Sequence, residues 1–312
     1  MRTLRLTPLT VPAVLAGVLA LAACGTEGAG APRAGGPSCG PETAAAATGG
    51  TDPAGDEGTG DVDIVDIVGS DVASPACAPA IRITSHEREP FTYTVTLSFL
   101  SDSGAAMLNT EQTVPAVGPG QTVRRPVDLA AAEAAGAGSG PGAGTPRHVK
   151  VLKVRSVPVD EAPVPSGACP PSGVRLTADQ GDAAMGLRVV GLHLENCSAA
   201  PYHLDGYPQL QLFDAAHRPV TGIKIRHGSS GSVGAEFDAP PRPLTLQPGE
   251  TASSGLTWRN TVTDGTPVDA PYVRVRARPG ADPVMVTPEL DLGTTGKLGV
   301  SAWHKSEADT AR

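Results

Sequence analysis

Between Phe91 and Leu100 every second residue is large and apolar. Phe91, Tyr93, Val95, Leu97 and Phe99 share one face, and Thr92, Thr94, Thr96 and Ser98 share the other. A period of two is the side-chain period of a strand, and apolar-in, threonine-out alternation marks a half-buried antiparallel strand. Shorter runs of the same character predict strands across 62–68, 80–84, 113–117, 122–129 and 149–157. A second set falls at 173–177, 187–195, 209–213, 220–225, 244–246, 252–260, 272–277 and 298–303. Turn residues separate them, and no segment carries a persuasive helical stripe. Many short strands with frequent turns predict an all-β chain, built as β-sandwiches.

Three anchors recur in the same order. Pro90-Phe91 matches Pro201-Tyr202. Val117-Gly118-Pro119-Gly120-Gln121-Thr122 matches Leu246-Gln247-Pro248-Gly249-Glu250-Thr251. Val149-Lys150-Val151 matches Val273-Arg274-Val275. In each Pro-Gly, proline presets φ and glycine tolerates φ > 0, so both pairs should turn the chain between strands. The recurrence predicts two domains of similar build, at 61–160 and 168–304, followed by a polar tail at 305–312. The stretch 130–147 has no large apolar side chain and reads as a long loop. Pro158, Pro163 and Pro165 mark a linker between the domains.

The N-terminus predicts where the chain works. Arg2 and Arg5 precede an uncharged apolar stretch, and Leu21-Ala22-Ala23-Cys24 closes it. Charged, apolar and small-residue regions in that order make a secretory signal over 1–23, too short for a stable membrane span. The final four residues resemble the lipobox of bacterial lipoproteins, which implies a diacylglycerol on Cys24 and a new N-terminus there. The alternative is an ordinary secretory signal cut nearby. Residues 25–60 contain no Val, Ile, Leu, Met or aromatic residue, and 15 of the 36 are Gly or Pro. Such a segment cannot bury enough apolar surface to offset its ordering entropy, so 24–60 reads as a disordered tether.

Charge is unevenly placed. Removing Arg2 and Arg5 from 24 basic residues leaves 22 against 32 acidic, a net charge of −10. Nine of those acids lie between Cys24 and Ala76 against the single base Arg33, while the remainder is nearly neutral. The acidity therefore belongs to the stretch before Cys77, and no basic surface predicts a nucleic-acid partner.

Once Cys24 is lipidated, four cysteines remain: Cys39, Cys77, Cys169 and Cys197. Three pairings are possible, and sequence proximity favours Cys169 with Cys197 and Cys39 with Cys77. No C-x-x-C or H-x-x-x-H spacing supports a zinc site instead.

Cys169, Asn196-Cys197, Leu204-Asp205-Gly206-Tyr207-Pro208, Leu246-Gln247-Pro248-Gly249 and Trp258 together resemble the DUF4232 domain of exported lipoproteins from high-G+C Gram-positive bacteria. The resemblance spans about 168–304. It implies an immunoglobulin-like sandwich with Cys169 and Cys197 paired, and it implies no activity. The first domain lacks the Gly-Tyr-Pro and the internal cysteine pair.

Motifs of catalysis are missing. No Ser-x-x-Lys, Walker loop or dinucleotide fingerprint occurs, and no G-x-S-x-G follows a predicted strand as a nucleophile elbow would. Gly228-Ser229-Ser230-Gly231-Ser232 reads as a flexible hairpin loop. His193, His203, His217 and His227 lie ten to fourteen residues apart and read as scattered side chains rather than a metal site. Trp258 reads as core. Arg274, Arg276 and Arg278 share one strand face, either a solvated ladder or a contact for phosphate-rich wall polymer or headgroups. The end loops 228–243 and 264–271 offer Ser229, Ser230, Ser232, Glu236, Asp238, Arg242, Asp264 and Asp269. The expectation is a lipid-anchored, extracytoplasmic binding or interaction module of the cell envelope, without cofactor or metal and without enzymatic activity. Its partners would be the membrane, through the anchor, and an envelope protein or wall polymer. The alternative is an envelope hydrolase or a metal-binding carrier.

Overall fold

The computed structural model describes residues 64–68, 78–128, 146 and 148–306. The signal segment, the tether, most of 130–147 and most of the polar tail lie outside them. Apart from one 3₁₀ turn at Val159–Glu161, every regular element among the described residues is a strand.

Residues 64–158 form two three-stranded antiparallel sheets. One has β1 (Ile64–Val68), β2 (Ala80–Thr84) and β5 (Thr122–Pro126) in the order β1-β2-β5. The other has β3 (Phe91–Leu100), β4 (Ala106–Val117) and β6 (His148–Pro158) in the order β4-β3-β6. The alternation along β3 places Phe91, Tyr93, Val95, Leu97 and Phe99 in the core with Ile81 and Ile83 of the facing sheet. Burying each such side chain is worth roughly 1.5–3 kcal/mol, which locks the register of the central strand. Ser98 departs from the expected exposed face. It is buried between its pairing partners Asn109 and Lys150, because a central strand is flanked on both sides. β4 is an edge strand, where Pro115 is tolerated. One extra β4 residue bulges opposite Thr92, and Ala116 takes φ 55° there.

Residues 174–305 build a larger sandwich-like unit. Its main sheet holds β7 (Val174–Ala178), β9 (Leu187–Asn196), β14 (Thr251–Arg259), β19 (Lys297–Val300) and β12 (Lys224–His227). β8 (Asp182–Ala184) adds to β9, and β20 (His304–Lys305) adds to β14. The facing sheet is β11 (Gln209–Phe213), β16 (Tyr272–Arg276) and β17 (Pro283–Val286). Two short pairs close the ends: β10 (Tyr202–Leu204) with β13 (Leu244–Leu246), and β15 (Asp269–Ala270) with β18 (Leu290–Asp291). Leu192, Leu194, Leu256 and Trp258 of the main sheet pack on Leu212, Val273, Val275 and Val286 of the facing sheet. The run expected as one strand at 220–225 divides at Gly222, whose φ is 82°. Val220 closes a hairpin onto Leu212, while β12 begins at Lys224 and pairs in parallel with β19.

Two of the three recurring anchors take equivalent places, whereas Val149-Lys150-Val151 pairs with the strand that carries Phe91 and Val273-Arg274-Val275 pairs with β11 and β17 rather than with the strand that carries Tyr202. Phe91 pairs with Val117, and Tyr202 pairs with Leu246. In both Pro-Gly turns the glycine has positive φ, 65° at Gly120 and 83° at Gly249. Gln121 and Glu250 each close the turn with the backbone N–H, and their side chains accept from Gly118 and Gln247. Each turn is then tied to the preceding strand end in the same way, Gly120 to Ser85 and Gly249 to Asn196.

The proline-marked segment is not a free linker. β6 runs through Val157 to Pro158, and the 3₁₀ turn follows at once. This end of the first sandwich sits on the outer face of β11-β16-β17, where Val157 and Ala162 pack with Phe213, Tyr272 and Met285. Arg155 donates from Nε and Nη2 to the two Glu289 oxygens at 2.7 and 2.5 Å, and Arg274 donates from Nε to Glu161 at 2.7 Å. His217 joins the same contact. Its Nε2 lies 2.9 Å from the Ser156 carbonyl and its Nδ1 3.4 Å from Glu87. Burial tends to lower the Arg155 pKa, but the Glu289 carboxylate outweighs it and raises it. Burial raises the Tyr272 phenol.

Candidate functional site

Cys169 and Cys197 form a disulfide, with their Cα atoms 5.6 Å apart. It pins the strand entry before β7 to the end of β9. Cys24, Cys39 and Cys77 lie outside the described residues. The Gly-Tyr-Pro segment braces the fold: Gly206, at φ 83°, accepts the Trp303 N–H, and Tyr207 stacks on His227 with centroids 3.6 Å apart.

Trp258 is core, as its strand position implies, but its indole N–H is engaged. It donates to Asp291 Oδ1 at 2.6 Å, while Arg188 and Asn260 donate to Oδ2 at 3.0 and 3.1 Å. Burial would raise the Asp291 carboxyl; these three donors outweigh it and hold the group below the usual aspartate range. Asp291 is therefore a carboxylate whose charge is held by hydrogen bonds and which ties the β15–β18 pair to the main sheet.

The four histidines do not converge. His193 meets Asp179, His203 meets Thr245, His217 sits between the sandwiches and His227 lies on Tyr207. Among the described residues no three His, Cys, Asp or Glu side chains come together to hold a metal ion.

His193 does belong to a chain that sequence reading missed. Asp179 Oδ2 lies 3.2 Å from His193 Nε2, Ser253 Oγ lies 3.5 Å from His193 Nδ1, and Ser306 Oγ lies 2.6 Å from Ser253 Oγ. The Asp-His-Ser order matches that of nucleophilic hydrolases. The geometry differs: these side chains stand on the outer face of the main sheet, and the serine-imidazole contact is at the outer limit of a hydrogen bond. Asp179 also accepts the N–H groups of Gly181 and Gly191, so it closes the turn before β8. Ser253 and His193 are 60 residues apart and meet only through the β9–β14 register.

Of the two end loops, 228–243 lies across that outer face. Phe237 covers Gly255, where a Cβ would stand 2.5 Å from the ring. Asp238 accepts from the Ser229 N–H and hydroxyl and from Gly231 N–H. Those bonds, the Ser229 N–H first, hold the Asp238 carboxyl below its usual range. Ser229 and Asp238 are thus committed to shaping the loop. The other loop is tied elsewhere: Thr263 bonds Thr294, and Val268 N–H donates to Gly293.

The arginine ladder is not a uniform cationic face. Arg274 is engaged by Glu161 and lies over Phe213, and Arg276 donates to the Ala281 carbonyl. Arg278 stands apart, with its guanidinium 4.8 Å over the Tyr202 ring. Among the described residues it has no ion pair or side-chain hydrogen bond. A cleft of about 350 Å³ opens beside it, lined by His203, Leu204, Asp205, Leu244, Thr245 and Arg278, with Pro243 and Pro279 at its sides. β10 and β13 supply its floor. The turn Arg278-Pro279-Gly280-Ala281, closed by Ala281 N–H on the Arg278 carbonyl with Gly280 at φ 76°, fixes the arginine backbone.

Residues 169–304 match the family model described as a domain of unknown function, DUF4232. No curated protein matches the chain. A crystal structure of red sea bream transglutaminase is similar at a TM-score of 0.18 and 10% sequence identity, covering 78% of this chain. This chain spans 31% of that one.

Proposed function

We propose that the chain is a lipid-anchored, extracytoplasmic binding module of the cell envelope, tethered through Cys24, with its ligand site in the Arg278 cleft. The observation that supports this reading is the cleft itself. It brings charged and hydroxyl groups from three separate strands and turns to one concavity beside apolar walls, the usual make-up of a small-ligand site. The immunoglobulin-like build implied by the resemblance suits the role, because such sandwiches present ligands at the ends of their sheets.

Two experiments test it. Cys24→Ala should move the protein from the membrane fraction to the medium or leave an unprocessed precursor. Identical processing and pelleting would refute the anchor. A photo-crosslinking residue in place of Asp205, used on intact cells, should capture an adduct that a cleft-filling Thr245→Trp variant loses. An adduct indifferent to that substitution would refute the site.

A second reading has one observation behind it, the Asp179-His193-Ser253 chain. As a hydrolase, the protein would carry the acyl group on Ser253 with His193 as base. A fluorophosphonate probe that labels wild type but not Ser253→Ala would favour this reading over binding alone.

A further inference from the structure

We infer that the Arg278 cleft takes a monoanionic oxyanion, a carboxylate or a phosphodiester, gripped by the Arg278 guanidinium. The inference rests on the cleft being the ligand site and goes on to name its ligand class.

Three observations carry it. First, Arg278 is the member of the 274–278 ladder that keeps its charge unspent. Arg274 faces Glu161 and Arg276 faces a carbonyl, whereas Arg278 has no carboxylate or hydrogen-bond acceptor among the described residues. Second, it is held in place before any ligand arrives. The Pro279-Gly280 turn fixes its backbone, and the guanidinium carbon lies 4.8 Å over the Tyr202 ring, which gives the cation a second contact. Its N–H groups meet no acceptor among the described residues, and their fork matches the two oxygens of a carboxylate or phosphate. Third, the neighbours set the ligand's charge. His203, steadied by the Thr245 hydroxyl at 2.9 Å, adds a polar imidazole to the same wall. Asp205 adds a carboxylate that has no hydrogen-bond or ion-pair partner among the described residues. A free carboxylate in so small a cleft repels a dianion more than a monoanion and offers an acceptor to a hydroxyl or ammonium group beside the anion. Pro243, Pro279 and the partly buried Leu244 give the remaining surface an apolar character.

The test uses the full chain and calorimetric titration with three probes: acetate, dimethyl phosphate and inorganic phosphate at a pH where it is largely dianionic. At least one of the two monoanions should bind saturably, and more tightly than inorganic phosphate. Which of the two binds tighter separates a carboxylate source from a phosphodiester source. Arg278→Lys, which keeps the charge but loses the fork, should weaken that binding roughly tenfold or more. Arg124→Lys, on an exposed strand outside the cleft, should leave it unchanged. Asp205→Asn should bring inorganic phosphate up towards the monoanions. The inference is overturned if no monoanion binds saturably, if Arg278→Lys binds as wild type does, or if inorganic phosphate binds tightest. Its failure is separable from that of the binding-module reading. Cellular capture that depends on the cleft, without oxyanion binding, sinks the ligand class alone. Oxyanion binding through Arg278, with capture indifferent to Thr245→Trp, sinks the binding-module reading and leaves the ligand class standing.

Discussion

Gly255 sits at the middle of β14, paired with Gly191, and the Phe237 ring lies where its side chain would be. Gly255→Ala would place a Cβ 2.5 Å from Cε2 and 3.2 Å from Cδ2 of that ring. Carbon atoms settle at about 3.5–4.0 Å, so the ring must retreat by roughly 1 Å. Phe237 belongs to a loop that Asp238 anchors one residue later, through Ser229 and Gly231, so retreat strains those bonds. Overpacking of this kind costs about 1–3 kcal/mol. Against it, alanine restricts the unfolded chain more than glycine and returns about 0.4–1 kcal/mol, since Gly255 does not need positive φ. The net expectation is a loss of about 1 kcal/mol. The assay is urea denaturation followed by tryptophan fluorescence, because Trp258 and Trp303 are the protein's two tryptophans and both lie in the second sandwich. The decisive measurement is the double-mutant cycle. In a Phe237→Ala background the obstacle is gone, and Gly255→Ala should become neutral or stabilising. If Gly255→Ala costs the same in both backgrounds, loop 228–243 does not rest on the sheet and the reasoning fails.

Three further outcomes are expected of the same structure. Replacing Cys169 and Cys197 by serine should cost about 3.5 kcal/mol, the chain-entropy estimate for a loop with a sequence separation of 28, and non-reducing peptide mapping of wild type should recover the two cysteines in one linked peptide. The Asp291 carboxyl is held below its ordinary range, so its contribution to stability is complete above about pH 4 and is lost as pH falls through its lower folded-state value. Asp291→Asn should flatten the acid limb of the stability–pH curve, and an unchanged limb would show that the Arg188, Trp258 and Asn260 bonds do not hold the charged form. Glu289→Gln removes the charge facing Arg155 and Lys153 at the contact between the sandwiches; both groups are partly exposed, so the expected loss is about 1–2 kcal/mol, with faster proteolysis across 159–168 as the local readout.

What the sequence determined by itself was whatever depends on near neighbours along the chain. The period of two in β3 set its buried face, and the Pro-Gly pairs set two matching turns, at Gly120 and Gly249. Those features are local, because a strand's face and a turn's φ are written in consecutive residues. The two-to-four-residue strands β8, β10, β15, β17, β18 and β20 escaped notice, because so short a run carries no period and is extended only by the partner beside it. Tertiary structure alone decided the sites. His193 and Ser253 meet because nine residues of β9 pair with β14 in one register, where a slip of one would turn Ser253 inward, and Asp179 reaches them from the end of β7 on the other side of β9. Arg274, Arg276 and Arg278 look alike in the chain, each one residue from an apolar neighbour. Only the docking of the 159–161 turn on Arg274 and the folding of the Arg278 turn over Tyr202 made one a structural ion pair and left the other without a charge partner among the described residues. Pairings between distant residues depend on how sheets stack, and no window along the chain contains that information.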